Sequence, residues 1–147
     1  MAATTFRIGP YEPTIKLPLQ NGDTNFPLSL VPTDPQAQTD DIVAAARDLA
    51  VTDQIRTLLD NHGAIYFQNL RLKDAHEFSK FAHAFGWTPH EDIGNPVRRT
   101  VLAKNVATAN EGPNTQPVYP HNEFGLSPHY PAYVLFYCVS APETGVL

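Results

Sequence analysis

Hydrophobic and polar positions divide this chain at its prolines. The first 35 residues hold six of them, and none lies between Pro35 and Pro89. Proline lacks a backbone donor and ends helices, so regular helices are expected inside that gap. From Asp40 onward apolar residues fall at helical spacing: Ile42, Ala46 and Leu49, then Ile55, Leu58 and Leu59. Thr52-Asp53 interrupts the stripe with residues suited to an N-cap, which predicts two short helices in place of one long one. "NHG" (61–63) stops the second, with Gly63 fit for the left-handed position past a helix end. "AIYF" (64–67) then reads as a short buried strand. A further helix is predicted over 73–85, with Ala75, Phe78, Ala82 and Phe85 on one face and Gly86 ending it.

After Pro89 the texture changes. "TVLAKNVAT" (100–108) predicts a strand, "ANEGPNTQPVYP" (109–120) a long turn-rich loop, and "AYVLFYCVS" (132–140) the strongest strand of the chain. Residues 1–35 show little periodicity and read as an extended N-terminal arm, with a short strand near 15–17. Helices first and strands later imply an α+β arrangement, or a β-sandwich with helices outside it, over residues 36–147.

Composition narrows the function classes. A chain of 147 residues fits one domain. With 42% apolar and 17% charged residues it has the balance of a globular protein and not of a disordered one. A formal net charge of -5, with no Lys/Arg run, argues against nucleic acid or an anionic membrane as partner. Residues 1–9 have neither the basic start nor the apolar run of a signal peptide, and no stretch approaches the roughly 20 apolar residues of a membrane span. Cys138 is the lone cysteine, so no internal disulfide and no Cys-rich zinc site can form. A reducing, cytoplasmic setting is the expectation.

Six histidines remain as candidate ligands. His76 and His83 share a helix face but stand about 10 Å apart along the axis, too far for one ion; solvated or partly packed side chains are the plainer account. His62 precedes the helix stop, where a polar or cationic cap suffices. The pattern H-x-[DE] occurs twice, as His90-Glu91-Asp92 and as His121-Asn122-Glu123. Residues i and i+2 of a strand face the same way, so an imidazole and a carboxylate at that spacing can converge on one cation. A second histidine from elsewhere would complete the two-His-one-carboxylate face that holds Fe(II) and leaves positions open. Spacing alone does not choose between the two pairs, nor between either pair and a polar loop.

The surrounding text does choose. "HGAIYFQNL", "FAHAFGW", "TANEGPNTQPVYPHNEFG" and "PAYVLFYCVSAPETG", in that order over residues 61–145, resemble the TauD/TfdA family of Fe(II)- and 2-oxoglutarate-dependent dioxygenases, and its clavaminate synthase-like branch most of all. The resemblance implies a double-stranded β-helix (jelly-roll) core with flanking helices, and oxidation of a small organic substrate. It places the metal ligands at His121 and Glu123, with glutamate in keeping with that branch. His90/Asp92 falls outside the motif position. Asn110 and Glu111 become candidates for the substrate side or for support of the ligands, beside the plain alternative of turn formation.

Departures from the family pattern set further expectations. Val146 stands where the family has a second glycine after "APETG". Neither the distal histidine of the iron site nor the arginine that pairs with 2-oxoglutarate is present in these 147 residues. The jelly roll is therefore expected to be incomplete, and the chain weak or inactive alone; His129 is a poor substitute ligand because a loop histidine without support binds weakly. An incomplete sheet leaves an open edge and uncovered apolar faces, so a partner chain or a second copy is expected to cover it. The competing class is a non-catalytic module that binds a partner or oligomerises through that edge.

Overall fold

A computed structural model of the chain describes residues 3–12, 14–19, 22–90, 99–109, 111–113, 115, 117, 119–125 and 128–141. It is a mixed α/β structure with three helices and three small sheets among those residues.

The segment 1–35 is extended, as expected, but it is no loose arm. It carries β1 (Phe6–Ile8), β2 (Ile15–Leu19), β3 (Gly22–Phe26) and β4 (Leu28–Pro32). All five residues of β4 are buried. The reason is position: β4 is the central strand of a three-stranded sheet. It pairs antiparallel with β1 (Phe6 opposite Pro32) and parallel with β5, Ile65–Phe67 (Leu28 opposite Ile65). A parallel pair needs a long crossover, and α1 (Thr39–Val51) and α2 (Gln54–His62) supply it. β2 and β3 form a separate antiparallel hairpin.

The predicted helix pair is present, though the break arises differently from the cap expected. Asp53 makes no side-chain cap bond; it sits in the left-handed region at φ 56° and turns the backbone between α1 and α2. Gly63 does terminate α2 at φ 71°, its N–H bonding Leu59 O at 2.7 Å. His62 does more than cap: its Nδ1 lies 2.8 Å from Thr24 Oγ1 and 2.9 Å from Asn25 O, tying the end of α2 to β3. β5 is half-buried and not fully buried, because Tyr66 faces outward.

Helix α3 (Ala75–Ala84) begins at Asp74, whose side chain accepts from the backbone N–H groups of His76 and Glu77. Its buried face is Phe78, Ser79, Phe81 and Ala84, with Phe85 just beyond; the expected Ala75 and Ala82 are only half-buried. Phe81 links the rings of Phe67 and Phe85 at 5.2 and 5.3 Å. Leu28, Leu30, Ile42, Ala46 and Phe81 belong to one core cluster, which therefore joins β4, α1 and α3. Each such fully buried large side chain contributes roughly 1.5–3 kcal/mol.

Two strand expectations are corrected. Residues 100–108 form a hairpin, β6 (Val101–Ala103) and β7 (Val106–Ala107), not one strand. Asn105 takes φ 55°, which asparagine tolerates, and reverses the chain between them. Residues 132–140 show the alternating exposure of a strand but join no ladder among the described residues. Tyr133 stacks on Trp87 at 4.3 Å and Tyr137 on Phe78 at 5.1 Å, while the Tyr137 hydroxyl donates to Leu72 O at 2.8 Å. Val134 and Phe136 face out. The side chains have found a surface, but no strand among the described residues supplies backbone partners. No helix among the described residues is long and apolar enough to cross a membrane.

Candidate metal centre

The β6–β7 hairpin fixes one wall of the site. Thr108 N–H donates to Thr100 O at 3.0 Å and Thr100 N–H to Thr108 Oγ1 at 3.1 Å. Glu111 closes the base of the hairpin: its Oε1 accepts from Thr100 N–H at 2.9 Å and from Thr108 Oγ1 at 2.6 Å. Those bonds, from Thr100 first and Thr108 second, hold the Glu111 carboxyl below the usual carboxylate range. Its role in the described structure is thus to anchor the hairpin. Asn110 lies outside the described residues, as does Asp92. The hairpin turn is in turn held to α3. Buried Ser79 donates to Lys104 O at 2.7 Å, and His83 bridges Ser79 O (2.7 Å) and Asn105 Oδ1 (3.0 Å).

His121 and Glu123 do come together. His121 Nε2 lies 3.4 Å from Glu123 Oε1. His121 Nδ1 lies 2.7 Å from the Tyr119 carbonyl oxygen. A carbonyl can only accept, so Nδ1 carries the hydrogen and Nε2 is the nitrogen presented to Glu123. This is the arrangement by which a metal-binding histidine has its ring orientation and tautomer fixed. The Tyr119 carbonyl and then Glu123 raise the His121 pKa above its ordinary value.

Sequence reasoning did not identify the other residues at this carboxylate. Arg99, the residue before Thr100, places Nη2 3.7 Å from Glu123 Oε2. Its guanidinium carbon stands 5.8 Å from the centre of the Phe124 ring, and His90 meets the same ring edge-on at 4.6 Å. Arg99 Nε is buried without a hydrogen-bond partner among the described residues. Phe124 itself takes φ 57°, uncommon for a bulky residue, directly after the candidate ligand. Neither Arg99 nor the Tyr119 carbonyl carries a sequence signal: one is distant along the chain, the other is backbone.

The donor chemistry fits a divalent cation in part. One imidazole nitrogen and one carboxylate oxygen face the same space, as two members of a two-His-one-carboxylate set would. Among the described residues no group of three His, Cys, Asp or Glu is placed to hold an ion, so neither His90 nor His129 completes the set.

Against known proteins, residues 28–145 match the profile of the family described as taurine catabolism dioxygenase TauD, TfdA family. A clavaminate synthase-like protein of Arabidopsis thaliana is 32% identical over 89 residues, which is 60% of this chain and 27% of that protein. The chain thus spans about a quarter of the length of the curated relative it matches. No solved structure matches it.

Proposed function

The chain belongs to the TauD/TfdA dioxygenase family, and from that premise we propose that it carries part of an Fe(II)- and 2-oxoglutarate-dependent oxygenase site, with His121 and Glu123 as two iron ligands. The fold that goes with this reading is part of a jelly-roll core with flanking helices, carried by residues 36–147, in a cytoplasmic protein acting on a small organic substrate. One observation carries it: His121 Nε2 and Glu123 Oε1 face each other at 3.4 Å while Nδ1 is bound to the Tyr119 carbonyl.

The chain's own residues then act as follows. The Tyr119 carbonyl keeps the hydrogen on Nδ1, so His121 offers the Nε2 lone pair. Glu123 adds the negative charge that a hard dication favours. Phe124, with its left-handed backbone, sets its ring against the Arg99 guanidinium and His90. Bound there with 2-oxoglutarate, ferrous iron supplies activation of O₂, and the overall chemistry gives oxidised substrate, succinate and CO₂.

Anaerobic titration with Fe(II), followed by calorimetry, tests the ligand pair. Binding is expected in the chain and is lost in His121→Ala and in Glu123→Ala; binding unchanged in both would remove the assignment. The pH arm has a definite sign. A His121 pKa raised above about 6.5 means that the proton competes with the ion at higher pH than at an ordinary histidine. Affinity therefore falls as the solution is acidified, by about tenfold per pH unit once Nε2 is protonated.

A further inference from the structure

The Glu123 carboxylate is bracketed by two nitrogen-bearing side chains, one on each oxygen. His121 Nε2 faces Oε1 at 3.4 Å and Arg99 Nη2 faces Oε2 at 3.7 Å. The first is a candidate ligand, its Nε2 lone pair available to a metal ion. The second cannot be a ligand, because guanidinium keeps its charge and has no lone pair to give. A dication seated on His121 and Glu123 would meet the charge of Arg99 at close range.

Three features say that Arg99 is not locked where it stands. Its contact to Glu123 is longer than a hydrogen bond. Its Nε is buried and has no partner among the described residues, so the guanidinium makes no side-on, two-bond pair with Glu123 that would commit it. The face of Phe124, already 5.8 Å from the guanidinium carbon, holds the cation independently of Glu123 and can keep it when the carboxylate is taken. The root of the side chain is fixed, however. Glu111 and Thr108 hold the N–H of Thr100, the next residue, at 2.9 and 3.1 Å. A fixed root with a loosely held head is what a displaceable group requires.

We propose that Arg99 is the displaceable counter-cation of Glu123. It neutralises the carboxylate in the metal-free chain, yields it when a divalent ion binds, and thereby lowers the affinity of the site. The proposal rests on His121 and Glu123 being ligands, and it goes beyond that reading by naming the residue that tunes them.

Cobalt(II) is the probe, because its binding is read from visible absorption without turnover. Wild-type chain, Arg99→Gln, Arg99→Lys, His121→Ala and Glu123→Gln are titrated at one pH and ionic strength. Removal of the charge in Arg99→Gln is expected to tighten binding about tenfold, the size of one nearby unit charge at an exposed site. Arg99→Lys keeps the charge and should stay within about twofold of wild type, which separates charge from packing. Unchanged or weaker binding in Arg99→Gln, with binding abolished in His121→Ala, overturns the counter-cation role and leaves the ligand pair standing. Binding that survives in both His121→Ala and Glu123→Gln overturns the ligand pair and this proposal with it. Binding absent from wild type and from Arg99→Gln alike overturns the ligand pair and this proposal with it.

Discussion

The Asp74 side chain accepts two backbone N–H groups at the start of α3, from His76 and Glu77, both at 2.9 Å. The bond from Glu77, above all, holds the Asp74 carboxyl below its ordinary pKa. A carboxyl depressed in the folded state stabilises above its unfolded pKa, and that stability is lost as pH falls through the folded value. Asp74→Ala is therefore expected to lower the melting temperature by a few degrees at pH 7. The deficit should start to shrink as pH falls below the ordinary carboxyl value of about 4 and disappear once the folded wild-type carboxyl, held lower, protonates as well. Asp74→Asn, which can still cap, should lie nearer wild type. Thermal melts by circular dichroism at two pH values decide it, and a deficit that persists undiminished in acid would mean that something other than the charged cap is at work. His121 has the opposite sign. Its raised pKa favours the folded, metal-free chain below the ordinary histidine value, and this is lost as pH rises through the higher folded one.

At the scale of elements, α3 is the hinge of the structure. One of its faces joins the aromatic series Phe67, Phe81 and Phe85, and the same helix holds the β6–β7 turn through Ser79 and His83. Phe81 is 2% exposed, so Phe81→Ala removes a ring with no room for collapse around it and should cost about 3–5 kcal/mol. Val51→Ala, at an exposed helix end, should change stability by less than about 0.5 kcal/mol. Urea denaturation of both variants tests the contrast; similar midpoints would contradict the core described above. The helices were legible because each was signalled by a local apolar stripe, with a glycine stop besides for α2 and α3. Asp53 shows the limit. Its place between helices was readable, but its left-handed turn in place of a side-chain cap was not.

At the scale of the whole molecule, residues 133–139 stand out. Odd positions from Tyr133 to Tyr137 turn inward, while Phe136 and Val139 remain 69% and 77% exposed. An extended apolar segment outside any ladder of the described residues is an invitation to strand pairing. The chain on its own is expected to self-associate or to take up an additional chain over this face. Val134→Lys with Phe136→Lys should reduce association measured by analytical ultracentrifugation, since charge on such a face blocks pairing. A soluble wild-type monomer with a sharp cooperative melt would contradict the expectation. The arrangement of β4 is a feature of the same scale. Its residues read as part of a proline-rich arm, and only pairing with β1 on one side and β5 on the other makes them central.

The sequence by itself determined the helices, the glycine stops of α2 and α3, the pairing of His121 with Glu123 in one motif, and the family. These are local matters: helix bonds run four residues along the chain, and an H-x-E spacing is short enough to be read directly. Tertiary structure alone decided that β4 is the middle of a sheet, that 100–108 folds back on itself, and that 132–140 joins no ladder among the described residues. It also brought Arg99 to Glu123. Strand ladders and ion pairs join residues far apart in sequence, so they exist only once the chain has closed the loops between them.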